Sequence, residues 1–214
     1  VERCPLGGAV ADFYQDVIGA LGRLGVNVTL SAVPSEVPDP IPFPEDRQHQ
    51  TYDAEQAHRF WNVLSRVDVV FKEHRARFRG KTTPVHFWWG SFDLSLTRFS
   101  GRPATPPPGA GVIGRFGGDA EEICVGFWPG DHRYPDPAFF GYAYPKPDGL
   151  ERSSIRPSGA AWNAELGEFV LPYAVVRAAA DPHEAILEFL TSTYDASAAL
   201  LDWDSEWTSV AVPG

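Results

Sequence analysis

Apolar positions along the chain follow two periods, and the switch between them marks out the elements. Val10, Phe13, Val17, Leu21 and Leu24 return every three or four residues, so a short amphipathic helix is expected there. Gly25 stands where the left-handed turn that ends a helix is needed. Over 26–33 the period drops to two, with Val26, Val28 and Leu30 on one face and Asn27, Thr29 and Ser31 on the other, which predicts a strand. Pro34, Pro38, Pro40, Pro42 and Pro44 then impose an extended connection, because proline has no N–H to give a helix. Asp53, with Gln56 three residues on, has the form of a capping box at the start of the longest helix. Ala57, Phe60, Trp61, Leu64, Val67, Phe71 and Phe78 give that helix a wide apolar stripe, and Gly80 closes it.

Beyond Gly80 the strand pattern dominates. Residues 85–99 are dense in aromatic and β-branched side chains and read as one long strand, or two joined near Gly90. Residues 102–118 hold too many prolines and glycines for regular structure. Shorter strands are expected over 123–128, 139–144 and 168–173. Asp181, Pro182 and Glu184 supply the N-cap, first-turn proline and capping acid of a last helix, whose buried face is Ile186, Leu187, Leu190, Tyr194, Ala198 and Leu201. Few connections between strands are long enough to be crossover helices. The expected fold is therefore α+β: a largely antiparallel sheet of five to six strands packed against two or three helices. It is expected as a single domain over 1–214, with an ordered core over 9–204 and a frayed tail over 205–214.

Composition narrows the function. At 214 residues, with 43% hydrophobic and 21% charged residues, the chain is an ordinary globular protein. Its 7 Trp, 7 Tyr and 14 Phe point to a ring-rich core or a ring-lined cavity. A net charge of −10 argues against nucleic acid as a partner, since phosphate contacts need clustered Lys and Arg. No apolar run approaches membrane-spanning length, and a soluble, cytoplasmic protein is expected. Two cysteines, Cys4 and Cys124, form neither a zinc motif nor a disulfide framework. Residues 181–214 carry seven carboxylates and no Lys or Arg, which leaves open an acidic interaction protein. The absence of any Met leads to the expectation that an N-terminal portion is missing.

The candidate chemistry gathers on residues 85–99. On one regular strand His86, Trp88 and Arg98 share a face and Asp93 opposes them; a bulge at Gly90 would reverse that parity. His86 with Asp93 would make a base and its orienter, and Arg98 would hold an anionic group. The same residues also suit a purely structural network. Trp88, Trp89, Phe127, Trp128, Tyr142 and Tyr144 are the rings expected to line a small-molecule pocket with that polar group, although ordinary core packing is the plainer account of them. A metal-assisted hydrolase is the alternative, with His132 and Glu121 as its metal ligands, against which His132 also reads as an exposed turn histidine. The cofactor stays open. Gly80-Lys81-Thr82 lacks the upstream glycine and the strand-to-helix order of a phosphate-binding loop.

Several segments are similar to one bacterial family. Pro38-Asp39-Pro40-Ile41-Pro42-Phe43, Arg59-Phe60-Trp61, and the long run from Pro84-Val85-His86-Phe87-Trp88-Trp89 to Gly90-Ser91-Phe92-Asp93-Leu94 resemble domain of unknown function 5996. So do Thr97-Arg98-Phe99-Ser100-Gly101-Arg102, Gly126-Phe127-Trp128-Pro129-Gly130, Tyr142-Ala143-Tyr144-Pro145 and Ser192-Thr193-Tyr194. The resemblance runs from about Ala11 to Trp203. It implies a further strand-rich N-terminal portion and no assigned activity. Members carry a Tyr-Ser-His-Glu run where this chain has Gly118-Asp119-Ala120-Glu121, so the histidine is absent and Glu121 remains.

Overall fold

The computed structural model of the protein describes residues 8–34, 39–106 and 108–207. Cys4 and the end of the acidic tail lie outside them. The chain divides into two compact units, residues 1–63 and 64–214, a finer division than the single domain expected.

The first unit holds helix α1 (Val10–Arg23), a 3-10 turn (Phe43–Glu45) and residues 54–63 of helix α2 (Ala54–Ala76). No side chain caps α1. Its first amides donate instead to backbone carbonyls, Val10 to His49 at 3.0 Å and Ala11 to Asp46 at 2.9 Å. Helix α1 ends at the left-handed Gly25 as expected. The strand expected over 26–33 is not formed: the segment pairs with no strand among the described residues. Period-two alternation supplies two faces, but a ladder also needs a partner edge, and Val26, Val28 and Leu30 stay largely exposed. Asp53 caps α2, accepting from the amides of Glu55 (2.8 Å) and Gln56 (3.1 Å).

The second unit is a six-stranded, wholly antiparallel sheet with helices on one face. Its strands are β1 (His86–Trp88), β2 (Asp93–Pro103), β3 (Ala120–Trp128), β4 (Ala138–Tyr144), β5 (Ala161–Asn163) and β6 (Glu168–Pro172). They lie in the order β1-β2-β3-β4-β6-β5. The expected α+β class holds. Residues 102–118 are more regular than their prolines and glycines predict, since β2 runs to Pro103 and α3 (Val112–Gly117) follows. Helices α4 (Tyr173–Ala178) and α5 (Pro182–Leu200) complete the layer, with Asp181 capping α5 by accepting from the Glu184 amide at 3.1 Å. Trp207, in the segment expected to fray, packs edge-on to Phe78 with ring centroids 6.0 Å apart.

Alternation assigns the two sheet faces. Leu96, Ile123, Val125, Phe127, Phe139, Gly141 and Leu171 face α5, and most are fully buried. Phe139 meets Phe127 at 4.9 Å and Phe71 of α2 at 6.4 Å between centroids. Burial along α2 is confined to its second half, at Leu64, Val67, Val70, Phe71 and His74, whereas Trp61 of the expected stripe is exposed. Helix α5 comes so close to β4 that a Cβ on Gly141 would lie 2.6 Å from Thr193 Cγ2.

Candidate functional site

The face of the sheet turned away from α5 gathers most of the chemistry. Residues 85–99 form a hairpin, β1 and β2, whose turn includes Phe92 with a left-handed φ of 59°. His86 pairs with Ser95 and Trp88 with Asp93. Hairpin pairing, rather than a bulge at Gly90, thus puts His86, Trp88 and Asp93 on one face. Trp88 Nε1 donates to Ser95 Oγ at 2.7 Å, and the His86 ring lies 5.3 Å from the Trp88 ring. Asp93 accepts from the Ser91 hydroxyl.

The register carries the face across the sheet. Ser95 pairs with Gly126, Gly126 with Phe140 and Phe140 with Val170. Without a side chain, Gly126 lets the Phe140 ring lie over the strand: a Cβ there would meet that ring at 2.1 Å. In the neighbouring row Thr97 pairs with Cys124, which pairs with Tyr142. Phe99 pairs with Glu122, which pairs with Tyr144. Asn163 and Glu168 close the far side. Cys124, Trp128, Ala138, Phe140 and Val170 form an apolar floor, against which Tyr134, Tyr142 and Leu166 pack.

Three carboxyls on this face are perturbed in the same sense. Burial pushes Glu122 up to about 7, helped by the charge of Asp119. Burial also raises Glu168 to about 7, with Arg133 opposing and Asp93 adding to the shift. Asp93 is raised by burial, against its bonds from Ser91 and its own amide. None of the three makes an ion pair at salt-bridge distance among the described residues. Burial pushes the Cys124 thiol up to about 12, even with hydrogen bonds from Thr97 and Tyr142, so it is no nucleophile near neutral pH. Tyr142 is raised first by the neighbouring Cys124 and then by burial. Carboxyls whose proton affinity burial raises in this way, beside aromatic faces, can exchange protons with a bound molecule or accept its N–H and O–H groups.

The residues proposed from sequence divide between the faces. Trp88, Asp93, His86, Trp128, Tyr142 and Tyr144 share the one just described, with Tyr144 donating its hydroxyl to the Thr105 carbonyl. Trp89 is in the hairpin turn and largely exposed. Phe127 and Arg98 are on the opposite face, so neither belongs with the cluster. Arg98 is 3% exposed and inserts under the helices, because β2 continues regularly and residue 98 has the parity of Leu96. His86 and Asp93 are diagonal neighbours and share no hydrogen bond, so they do not form a base-and-orienter pair. The metal pair does not assemble either. His132 is exposed in the turn after β3, while Glu121, at the other end of that strand, faces the helices and accepts from Arg102 Nε (2.7 Å) and Trp203 Nε1 (3.0 Å). Among the described residues no group of three His, Cys, Asp or Glu could hold a metal ion. Ala120, which stands where the resembling family has its histidine, begins β3 with the parity of Glu122.

Glu122, Cys124 and Glu168 were not singled out from the sequence as residues of this site. The alternation Glu122, Cys124, Gly126, Trp128 was the available signal: it is a strand with polar and apolar residues on one face, which a simple amphipathic pattern passes over.

The family model described as "Family of unknown function (DUF5996)" matches residues 3–210, and the chain belongs to that family. The expected further N-terminal portion is not borne out by this match. No curated protein and no solved structure matches the chain.

Proposed function

We propose that this member of a family of unknown function binds a small polar molecule on the sheet face formed by His86, Trp88, Asp93, Glu122, Trp128, Tyr142 and Glu168. The observation that carries the reading is the β1–β2 register, which sets Trp88 and Asp93 side by side above the apolar floor around Cys124 and Trp128. Trp88 is 50% exposed and offers a ring for stacking. The carboxyls that lack ion-pair partners supply hydrogen-bond acceptors. An aromatic body with a few convergent polar groups is the usual composition of such sites. Arg98 has no part in this binding, in contrast to the expectation from sequence.

A second reading, general acid–base catalysis, is favoured by the burial of Glu122 and Glu168 on this face without ion-pair partners among the described residues, which pushes both up to about 7, where a carboxyl can give and take protons.

Ligand screening by thermal shift on the whole chain tests both. A hit that binds here should lose affinity about tenfold or more in Trp88→Ala and in Asp93→Asn, while Arg98→Lys leaves it unchanged. Hits indifferent to Trp88 and Asp93 would remove this face as the site. Turnover of a hit, lost in Glu122→Gln with binding retained, would select the catalytic reading.

A further inference from the structure

The first unit contains a cavity of about 430 Å³ between the start of α1 and residues 49–52. That volume is within the range of small-molecule sites. Its wall includes Ala9, Phe13, Asp16, His49 and Tyr52. The Phe13 and Tyr52 side chains, 49% and 47% exposed, present apolar ring surface to it.

One polar group on that wall, His49, is held by its neighbour Asp46. Asp46 is buried and accepts from the amides of Gln48 and His49, both at 3.1 Å, and its second oxygen lies 2.8 Å from His49 Nδ1. Burial pushes this carboxyl up, but the bonds from the His49 amide and ring and the Gln48 amide outweigh it and leave Asp46 below its ordinary range. Asp46 is therefore ionised at neutral pH, and His49 Nδ1 is placed to donate to it. In the tautomer with its proton on Nδ1, the other ring nitrogen, Nε2, is a hydrogen-bond acceptor, and it has no partner among the described residues. The segment itself is pinned to α1 by the backbone bonds from Val10 and Ala11. One turn apart on α1, Asp12 is taken by Arg47 at 3.0 Å, whereas Asp16 has no ion-pair partner among the described residues.

We propose that this cavity is a binding site for a small arylalkyl amine, whose ammonium donates to Asp16 and His49 Nε2 and whose ring rests on Phe13 and Tyr52. The charge on the wall favours a cation: Asp12 and Asp16 both line the cavity, and among the described residues no Lys or Arg does. An ammonium carries three donors and no acceptor, which suits a carboxylate and a fixed imidazole lone pair together. A metal ion fits less well, since the described residues hold no group of three ligands placed for one. The site is independent of the sheet face proposed above and shares no residue with it.

Calorimetric titration of the whole chain tests the assignment with three probes of one shape: 2-phenylethylamine, 2-phenylethanol and 3-phenylpropionate. The amine should bind saturably, the alcohol about tenfold more weakly, and the carboxylate not at all. Asp16→Asn and His49→Gln should each weaken the amine about tenfold without changing the circular dichroism spectrum. Trp88→Ala should leave its affinity unchanged, which separates this site from the sheet face. Equal affinity for amine and alcohol, indifference to Asp16→Asn, loss in Trp88→Ala, or no saturable binding below about 10 mM would each overturn the proposal.

Discussion

At Arg98 the guanidinium lies 4.9 Å from the Phe78 ring centroid and 4.4 Å from that of Tyr194, and it donates to the His74 carbonyl. No carboxylate meets it at salt-bridge distance among the described residues, and its Nε has no partner. Burial pulls its pKa down to about 10, with the charges of Tyr194 and Asp195 opposing. Buried cations of this kind pack with their stems and cost desolvation with their heads. Arg98→Ala should destabilise by about 2–4 kcal/mol through the cavity it leaves. Arg98→Met, which keeps the volume and removes the charge, should cost less than about 1.5 kcal/mol; urea unfolding of both variants checks the order. Glu122 permits a second prediction at this scale. Its folded pKa is raised, so the unfolded chain loses the proton first as pH rises. The resulting stability is fully present below about 4.5, the unfolded value, and is lost as pH climbs through about 7. His74, lowered by burial and then by Arg98 and Arg77, acts in the opposite sense, its contribution shrinking as pH falls below the ordinary histidine value. Comparison with Glu122→Gln isolates the first effect. The variant should be the more stable at pH 8, by on the order of 1 kcal/mol after discounting for solvent screening, with the advantage fading toward pH 5.

Among the elements, α5 and β4 pack closely enough for their fit to be tested. Thr193 is fully buried over Gly141, and its methyl occupies the space a Cβ on residue 141 would need. Gly141→Ala should therefore destabilise by about 1–3 kcal/mol. Combined with Thr193→Ala it should cost less than the sum of the two single changes, because the second truncation opens the space the first one fills. Thermal unfolding of the four-member cycle measures that coupling. The β1–β2 hairpin behaves differently. β1 is a three-residue edge strand whose inner edge alone is paired, and its Trp88 and Phe87 are about half exposed. Its value is positional: it turns a linear run of aromatic and polar residues back on itself, and Asp93 arrives beside Trp88. A linear reading of 85–99 as one regular strand puts Arg98 with His86 and Trp88 and Asp93 opposite them; the pairing gives the reverse, because a hairpin inverts parity across its turn.

Over the whole molecule, protection should follow packing. Hydrogen exchange is expected slowest in β3, β4 and the buried side of α5, and fastest over 26–33, whose amides enter no ladder among the described residues. Exchange mass spectrometry checks this; slow exchange over 26–33 would mean that the segment has a partner in solution. No helix among the described residues is long and apolar enough to cross a membrane. The elements were legible in the sequence wherever a local signal exists. Asp53 and Asp181 announce their helices through the first-turn amides they cap, and the main strands announce themselves by aromatic and β-branched density. The α+β class follows from that order, since short links between strands force antiparallel pairing. What remained undetermined was everything that depends on who lies opposite whom. Residues 26–33 carry a strand's alternation but no partner, which a one-dimensional pattern cannot report. Glu122, Cys124 and Glu168 join Asp93 and Trp88 only through register across five strands, and His49 faces its cavity only once the segment is docked on α1. Periodicity along a chain fixes which side chains share a face of one element; pairing between distant segments decides which faces meet, and the site depends on that pairing.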